Sequence, residues 1–309
     1  MFMDKEPFRG IFTIPATPFD RNGEIDESSF RRCIDFCIAC GAHGLVYPVN
    51  ASSFSVLSDD ERQAMTEILV AQTGGKIPVI VGVQHLSGQT AARIASHAKQ
   101  IGANGVIAMP PYAWKQQPST EAIYDYYRMI SEAAQMPIFV QNNPPPIGIV
   151  MSPKFLNRLC NEIEHVSYIK EEVPPSTLNT SRIIKLNSGS CKGVMGGAGG
   201  RYLIEEYRRG TCGNMPGCHV TDVMVAFWKA LDSNMEGNAM QIYRDLAPLY
   251  FFETQLPGVY NEILHRRGVI ECPAQRNGIV PIDKISSSYL DEILKGLEPW
   301  MNWTPEDHI

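Results

Sequence analysis

The sequence predicts an α/β protein: a (β/α)8 TIM barrel with a C-terminal helical extension. Short apolar runs rich in β-formers alternate with helical patterns at the ~30-residue period of a βαβ unit. That alternation recurs about eight times, after which the chain turns purely helical. The length of 309 residues fits, since one such barrel occupies about 250 residues. Eight units with right-handed crossovers close naturally into a barrel. The competing architecture, an open doubly wound sheet, wants a Gly-rich phosphate turn after the first strand, and Pro15-Ala16-Thr17-Pro18 is not one.

The expected strands, in order, are Gly10–Phe19, Gly44–Val49, Pro78–Val83, Gly105–Pro111, Pro137–Pro144, Val166–Glu172, Cys191–Gly197 and Gly213–Cys218. Most are nearly continuous in apolar character, as parallel strands covered on both faces should be. The last two carry Gly and Pro, which depress strand propensity. Between the strands, Asp26 opens a helix that places Phe30, Cys33, Ile34, Cys37 and Ile38 on one face and ends at Gly41. Ser58 with Glu61 reads as a capping box for a helix ending near Gly74-Gly75. Ser87 and Ser119 start two more helices, and Ser152-Pro153 is an N-cap followed by Pro at the first helical position. Helices are then expected at Glu236–Glu253, Pro257–Arg267 and roughly Ser286–Trp300. The chain accordingly reads as a barrel over 1–233 and a helical layer over 234–309, with no linker-like stretch between them.

Composition narrows the function classes. Hydrophobic residues at 44% and charged residues at 19% are an ordinary globular balance. A formal net charge of −6, spread along the chain, leaves no electrostatic footprint for nucleic acid or an anionic membrane. No apolar run approaches the ~20 residues that span a bilayer. Residues 1–10 carry Asp4 and Glu6 and lack an apolar core, so no secretory signal is expected and the protein reads as cytoplasmic. Eight cysteines in a chain of this size point to reduced thiols rather than a disulfide framework.

Catalytic groups in such a barrel lie at the C-terminal strand ends and in the loops that follow. The rule selects Thr17, Asn50, Ser52, Ser53, Gln84, His85, Pro111, Tyr112, Gln141–Pro144, Lys170–Glu172, Gly196–Gly199 and Gly217–His219. Lys170 stands apart because it interrupts an apolar strand, where desolvation disfavours an ammonium and supplies a free amine that attacks carbonyls. On a period-2 strand Glu172 points to the same side as Lys170, and Glu171 to the other. A lysine and a carboxylate converging at a strand end can form an imine and move protons beside it. The alternative is a strand-edge lysine paired with Glu171 or Glu172 for structural reasons.

Lys170 in YIKEE, FVQNNP about 30 residues earlier, AMPPY before that and IPATPF near the start resemble the dihydrodipicolinate synthase/N-acetylneuraminate lyase superfamily. The motifs are short, and their order and spacing from about Gly10 to the C-terminal helices make them specific. The resemblance implies a (β/α)8 barrel, an imine-forming lysine on the sixth strand and a class I Schiff-base mechanism. It also implies a small-molecule 2-keto acid substrate, a homo-oligomer (tetramer or dimer), and no metal or organic cofactor.

The departures bear on substrate. Where synthases and aldolases of that superfamily carry GTTGE, this chain has Val49-Asn50-Ala51-Ser52-Ser53. Where they carry the relay tyrosine of YNVP, it has Gln141, and their TPYY becomes Pro110-Pro111-Tyr112-Ala113. A glutamine has no comparably titratable proton, so another group must act as acid and base, and Glu172 is the nearest ionisable candidate by strand geometry. NASSFSVLSDDER, FVQNNP and the Lys170/Glu172 pair resemble dehydratases of 2-keto-3-deoxy sugar acids. In that light the substrate carboxylate would sit against backbone N–H groups and the hydroxyls of Ser52 and Ser53. Gln141, His85 and Asn50 are candidates for holding polyol hydroxyls, His85 reading equally as a structural hydrogen-bond partner. Gly196 to Gly200 could cradle a phosphate, or form a permissive turn that clears room at the barrel mouth, which fits the family better. A pyruvate-releasing aldolase or synthase of the superfamily, and a ligand-binding homologue without activity, are the competing functions.

Other features are read as structural. Cys37-Ile38-Ala39-Cys40 is a CxxC closing a helix, with no further metal ligands at sensible spacing, so its thiols are expected to pack as small apolar groups. The seven histidines form no HxH or HExxH pattern. Tyr124, Tyr126 and Tyr127 read as core or subunit-contact aromatics.

Overall fold

A computed structural model describes residues 8–111, 113, 118–256, 258–276 and 282–304. Tyr112 and Pro257 lie outside the described residues. Eight parallel strands pair in sequence order into a closed barrel. They are β1 (Gly10–Thr13), β2 (Gly44–Tyr47), β3 (Val79–Gly82), β4 (Gly105–Ala108), β5 (Ile138–Asn142), β6 (Val166–Glu171), β7 (Gly193–Gly196) and β8 (Gly213–Asn214). The intervening helices are α1 (Glu27–Ala39), α2 (Asp59–Thr73), α3 (Gly88–Gln100), α4 (Thr120–Ala134), α5 (Pro153–Glu162), α6 (Ser176–Leu186), α7 (Leu203–Arg208) and α8 (Thr221–Asp232). Three more follow: α9 (Glu236–Gln255), α10 (Val259–Arg266) and α11 (Lys284–Leu297). The fold is therefore the TIM barrel with C-terminal helices that the strand–helix period predicts. Among the described residues no helix is long and apolar enough to cross a membrane.

The predicted helix starts have physical counterparts. The side chains of Asp26, Ser58, Ser87, Ser119 and Ser152 each accept a backbone N–H of the first turn. Glu61 completes the box by accepting from the Ser58 N–H at 2.8 Å. Gly74 ends α2 at φ +56°, a conformation that disfavours a Cβ. The strands are shorter than expected, mostly four residues, because the prolines that follow them (Pro15, Pro48, Pro110, Pro144) cannot donate to a ladder. β8 has only two residues before Pro216.

The chain forms two compact units. The first comprises Met1–Gly10, Val46–Pro48 and Pro78–Met215. In it β5 and β6 pair in a register that sets Phe139 opposite Tyr168 and Gln141 opposite Lys170. The two aromatic rings stack at 4.5 Å, and Phe8 meets both edge-on at 5.2 Å. Gln141 and Lys170 each lie two residues beyond one of those rings, so by strand alternation they share its face one layer further along. An apolar layer therefore lies beneath the polar one.

The second unit comprises Ile11–Leu45, Val49–Ile77 and Pro216–Ile309. Charged and polar pairs, buried or half-buried, hold it together. Arg267, just past α10, forks onto both oxygens of Asp222 on α8, with side chains 7% and 0% exposed. His219 Nε2 lies 2.7 Å from Glu253 Oε1, and its ring stacks on Tyr260 at 4.0 Å. Arg276 forks onto Glu61, holding that carboxyl down at about 2.

Candidate active site

β6 delivers the chemistry. Strand alternation turns Lys170 and Glu172 to one side and Glu171 to the other, and their partners differ accordingly. Lys170 Nζ lies 3.3 Å from Glu172 Oε2, with side chains 5% and 13% exposed. The Glu172 carboxyl also accepts from Gln141 Nε2 at 2.7 Å and from the Ala198 N–H at 3.1 Å. Glu171 instead accepts from Asn142 Nδ2 at 2.8 Å and from the Val173 N–H at 2.7 Å. Burial pushes Glu171 up to about 7 against those donors. Of the two pairings open to a structural lysine, Lys170 has the one with Glu172.

Gln141 has a defined orientation. A carboxylate accepts and does not donate, so the amide nitrogen faces Glu172. Gln141 Oε1 is left buried with no hydrogen-bond partner, an acceptor available to a hydroxyl. The residue that stands where relatives are expected to carry a relay tyrosine thus fixes one oxygen of Glu172.

The turn after β7 is shaped around carboxyl groups. A Cβ on Gly197 would lie 2.2 Å from Glu172 Oε1, and one on Gly196 would lie 2.0 Å from Glu206 Oε2. Glu206, on α7, is 1% exposed and accepts from Asn214 Nδ2 at 2.9 Å. Burial pushes it up to about 8, with the Glu172 and Glu205 charges adding to the rise and the Asn214 amide opposing it. The sequence reading missed Glu206. Its signal was an acid on the inward side of a short helix, beside an outward Glu205 that pairs with Arg209 at 2.6 Å.

Other predicted site residues are placed differently. His85 Nδ1 accepts from the Ser87 N–H at 3.0 Å, within the turn that starts α3. Ser52 is fully buried: its hydroxyl donates to Val49 O at 2.8 Å and accepts from the Val49 N–H at 2.7 Å. Its proton is directed at Val49 O, so the hydroxyl closes its own turn. Half-buried Ser53 follows at φ +58°, and half-buried Asn50 accepts its N–H at 3.0 Å. These three residues belong to the second compact unit, whereas Lys170, Glu172, Gln141, Gly196 and His85 belong to the first.

Two further features concern possible ligands. Cys33, Cys37 and Cys218 are buried, with sulfurs within 4.8 Å of one another, a donor set suited to a soft ion. Spacing did not reveal this cluster because Cys218 comes from 185 residues away. A cavity of about 710 Å³ is lined by residues including Arg21, Glu262, His265, Arg266 and Gln275. Arg266 there is engaged by Glu262 and Asp291, and among the described residues the lining holds no lysine.

The chain is thus a closed eight-stranded barrel that brings a buried lysine and a largely enclosed carboxyl together at the end of its sixth strand. Residues 7–297 match the dihydrodipicolinate synthetase family, and the chain belongs to it. L-2-keto-3-deoxyarabonate dehydratase of Azospirillum brasilense is 31% identical over 94% of this chain and 95% of that protein. A 4-hydroxy-tetrahydrodipicolinate synthase of Thermotoga sp. strain RQ2 is 28% identical over 93% and 98% of the two chains. The crystal structure of dihydrodipicolinate synthase from Rhodopseudomonas palustris superposes with a TM-score of 0.86 at 26% identity, covering 94% of this chain and 98% of that one. The protein is a lyase of this family.

Proposed function

We propose that this lyase dehydrates a 2-keto-3-deoxy sugar acid, and that its substrate is L-2-keto-3-deoxyarabonate, converted to 2-oxoglutarate semialdehyde (2,5-dioxopentanoate). One observation carries the reading. The carboxyl of Glu172 lies 3.3 Å from Lys170 Nζ and is held by Gln141 Nε2, where a tyrosine relay would otherwise stand. The full-length similarity to the A. brasilense dehydratase supports the choice of substrate.

In this account Lys170 Nζ adds to the C2 ketone, and the carbinolamine loses water to give an iminium. The iminium withdraws electrons and acidifies the C3–H bond. Glu172 takes that proton, and the C3–H electron pair forms the C3–C4 double bond as the C4–O bond breaks. The same carboxyl returns the proton to the departing oxygen, so that water leaves. A second water hydrolyses the imine, frees Lys170, and tautomerisation yields the semialdehyde. Gln141 Oε1 accepts a hydrogen bond from a substrate hydroxyl. No step calls on a metal or an organic cofactor, and the eight free cysteines suit the reducing cytoplasm proposed for it.

The test is product analysis after incubation with 2-keto-3-deoxypentonic acids. A 2-oxo semialdehyde formed without pyruvate is expected. Stoichiometric pyruvate would overturn the dehydratase reading in favour of retro-aldol cleavage.

A further inference from the structure

The turn from Gly196 to Ala198 has a carboxyl on each side of it. Glu172 rests on the Ala198 N–H at 3.1 Å, and Glu206 takes the neighbouring Gly197 N–H. Asn214 Nδ2 clamps the Glu206 side, donating to Glu206 Oε2 at 2.9 Å and to Gly197 O at 3.2 Å. Neither glycine has room for a Cβ: at Gly196 it would strike Glu206, and at Gly197 it would strike Glu172. Two consecutive peptides therefore couple the position of one carboxyl to that of the other. A buried acid with no ion-pair role is costly to maintain, and the mechanism above does not use Glu206.

We propose that Glu206 is a positioning residue for Glu172, bracing as a neutral acid the turn on which the Glu172 carboxyl rests. The inference depends on the Lys170/Glu172 reading of the site. Among the described residues, the charges acting on Glu206 are those of Glu172, which has Lys170 at its far side, and of the outward Glu205 on its own helix, which Arg209 engages. Burial and those two carboxyls push Glu206 up to about 8, so near neutral pH it holds its proton. Ionising it sets a second negative charge across one peptide turn from Glu172. Like charges repel strongly where water is excluded. Glu172 is then pushed off its place on the turn, and turnover falls on the alkaline side.

The experiment is the pH profile of kcat for the wild type and Glu206→Gln, each also incubated with pyruvate and borohydride. Glutamine keeps the shape and can accept the Asn214 and Gly197 donors, but it does not ionise. The wild type should lose turnover with a midpoint near pH 8. Glu206→Gln should carry that midpoint upward by at least one pH unit, with KM at pH 7 changed less than threefold. Asn214→Leu, which removes a donor that favours the ionised acid, should also move the midpoint upward, and it decides the matter if Glu206→Gln does not fold. Profiles that superimpose on the wild type, with Lys170 labelled in both proteins, would overturn the role of Glu206 alone. Absence of label on wild-type Lys170 would overturn the underlying site reading, and this proposal with it.

Discussion

Gly197→Ala perturbs the site through a single methyl group, and its size can be worked from distances. The added Cβ would sit 2.2 Å from Glu172 Oε1 and 2.5 Å from Cδ and Cγ. Non-bonded heavy atoms rest at about 3.5 Å, so the carboxyl must retreat by more than 1 Å. The retreat breaks the 3.1 Å bond from the Ala198 N–H and draws Oε2 from Gln141 and Lys170. A misplacement of about 1 Å in a catalytic group can cost about 100-fold in rate, equivalent to about 2.7 kcal/mol of barrier. Lys170 itself is untouched, so imine formation should persist. The assay is steady-state dehydration of the sugar acid, with borohydride labelling and a thermal melt run alongside. We expect kcat reduced about 100-fold, labelling retained and a cooperative melt. A folded variant with kcat within threefold of the wild type would refute the claim that the glycine makes room for a working carboxyl.

Glu172→Gln should trap substrate on Lys170 yet lower kcat by about 10²–10⁴-fold, the usual worth of a general acid–base group; an unchanged kcat removes its assigned role. Breaking the buried Arg267–Asp222 pair with Asp222→Asn should destabilise the fold by about 3–5 kcal/mol, read as a lower urea midpoint, because Arg267 stays buried without its counter-charge. Glu171 and Glu206 are raised to about 7 and about 8. Between pH ~4.5 and ~8 the folded chain thus keeps protons that the unfolded chain has lost, and their contribution to stability falls as pH rises through that window. The paired Glu61, lowered to about 2, acts in the opposite direction. Its contribution is complete above pH ~4.5 and is lost as pH falls through about 2. Urea midpoints that gain on going from pH 8 to 5 when Glu171 and Glu206 are present, and gain less in Glu171→Gln and Glu206→Gln, are the expected pattern; equal gains would contradict it.

Much of the fold is legible because its local signals are chemical. Helices α1 to α5 announce themselves through Asp26, Ser58, Ser87, Ser119 and Ser152, whose side chains bond the first turn. Helices α6, α7 and α8 begin after Pro175, Tyr202 and Val220, none of which gives a side-chain cap, so no residue marks their starts. The site is legible to the same extent. Strand alternation suffices to separate Glu172 from Glu171, because it is a property of one segment. The strand-end rule selects the Gly196–Gly197 turn but not what it makes room for, and it passes over Glu206 and Asn214, since their meaning lies in contacts between segments. Ser52 illustrates the converse: its motif suggested a ligand contact, but the hydroxyl closes its own turn through Val49. The trithiol cluster escaped a spacing argument for the same reason as Glu206.

The most direct measurement is borohydride reduction in the presence of pyruvate, a 2-keto acid with no C4 hydroxyl to expel, followed by peptide mass analysis. A stable adduct on the peptide containing Lys170, absent in Lys170→Ala along with all turnover, is the predicted result. An unmodified Lys170 in an enzyme that still converts its sugar acid would contradict the account at its base.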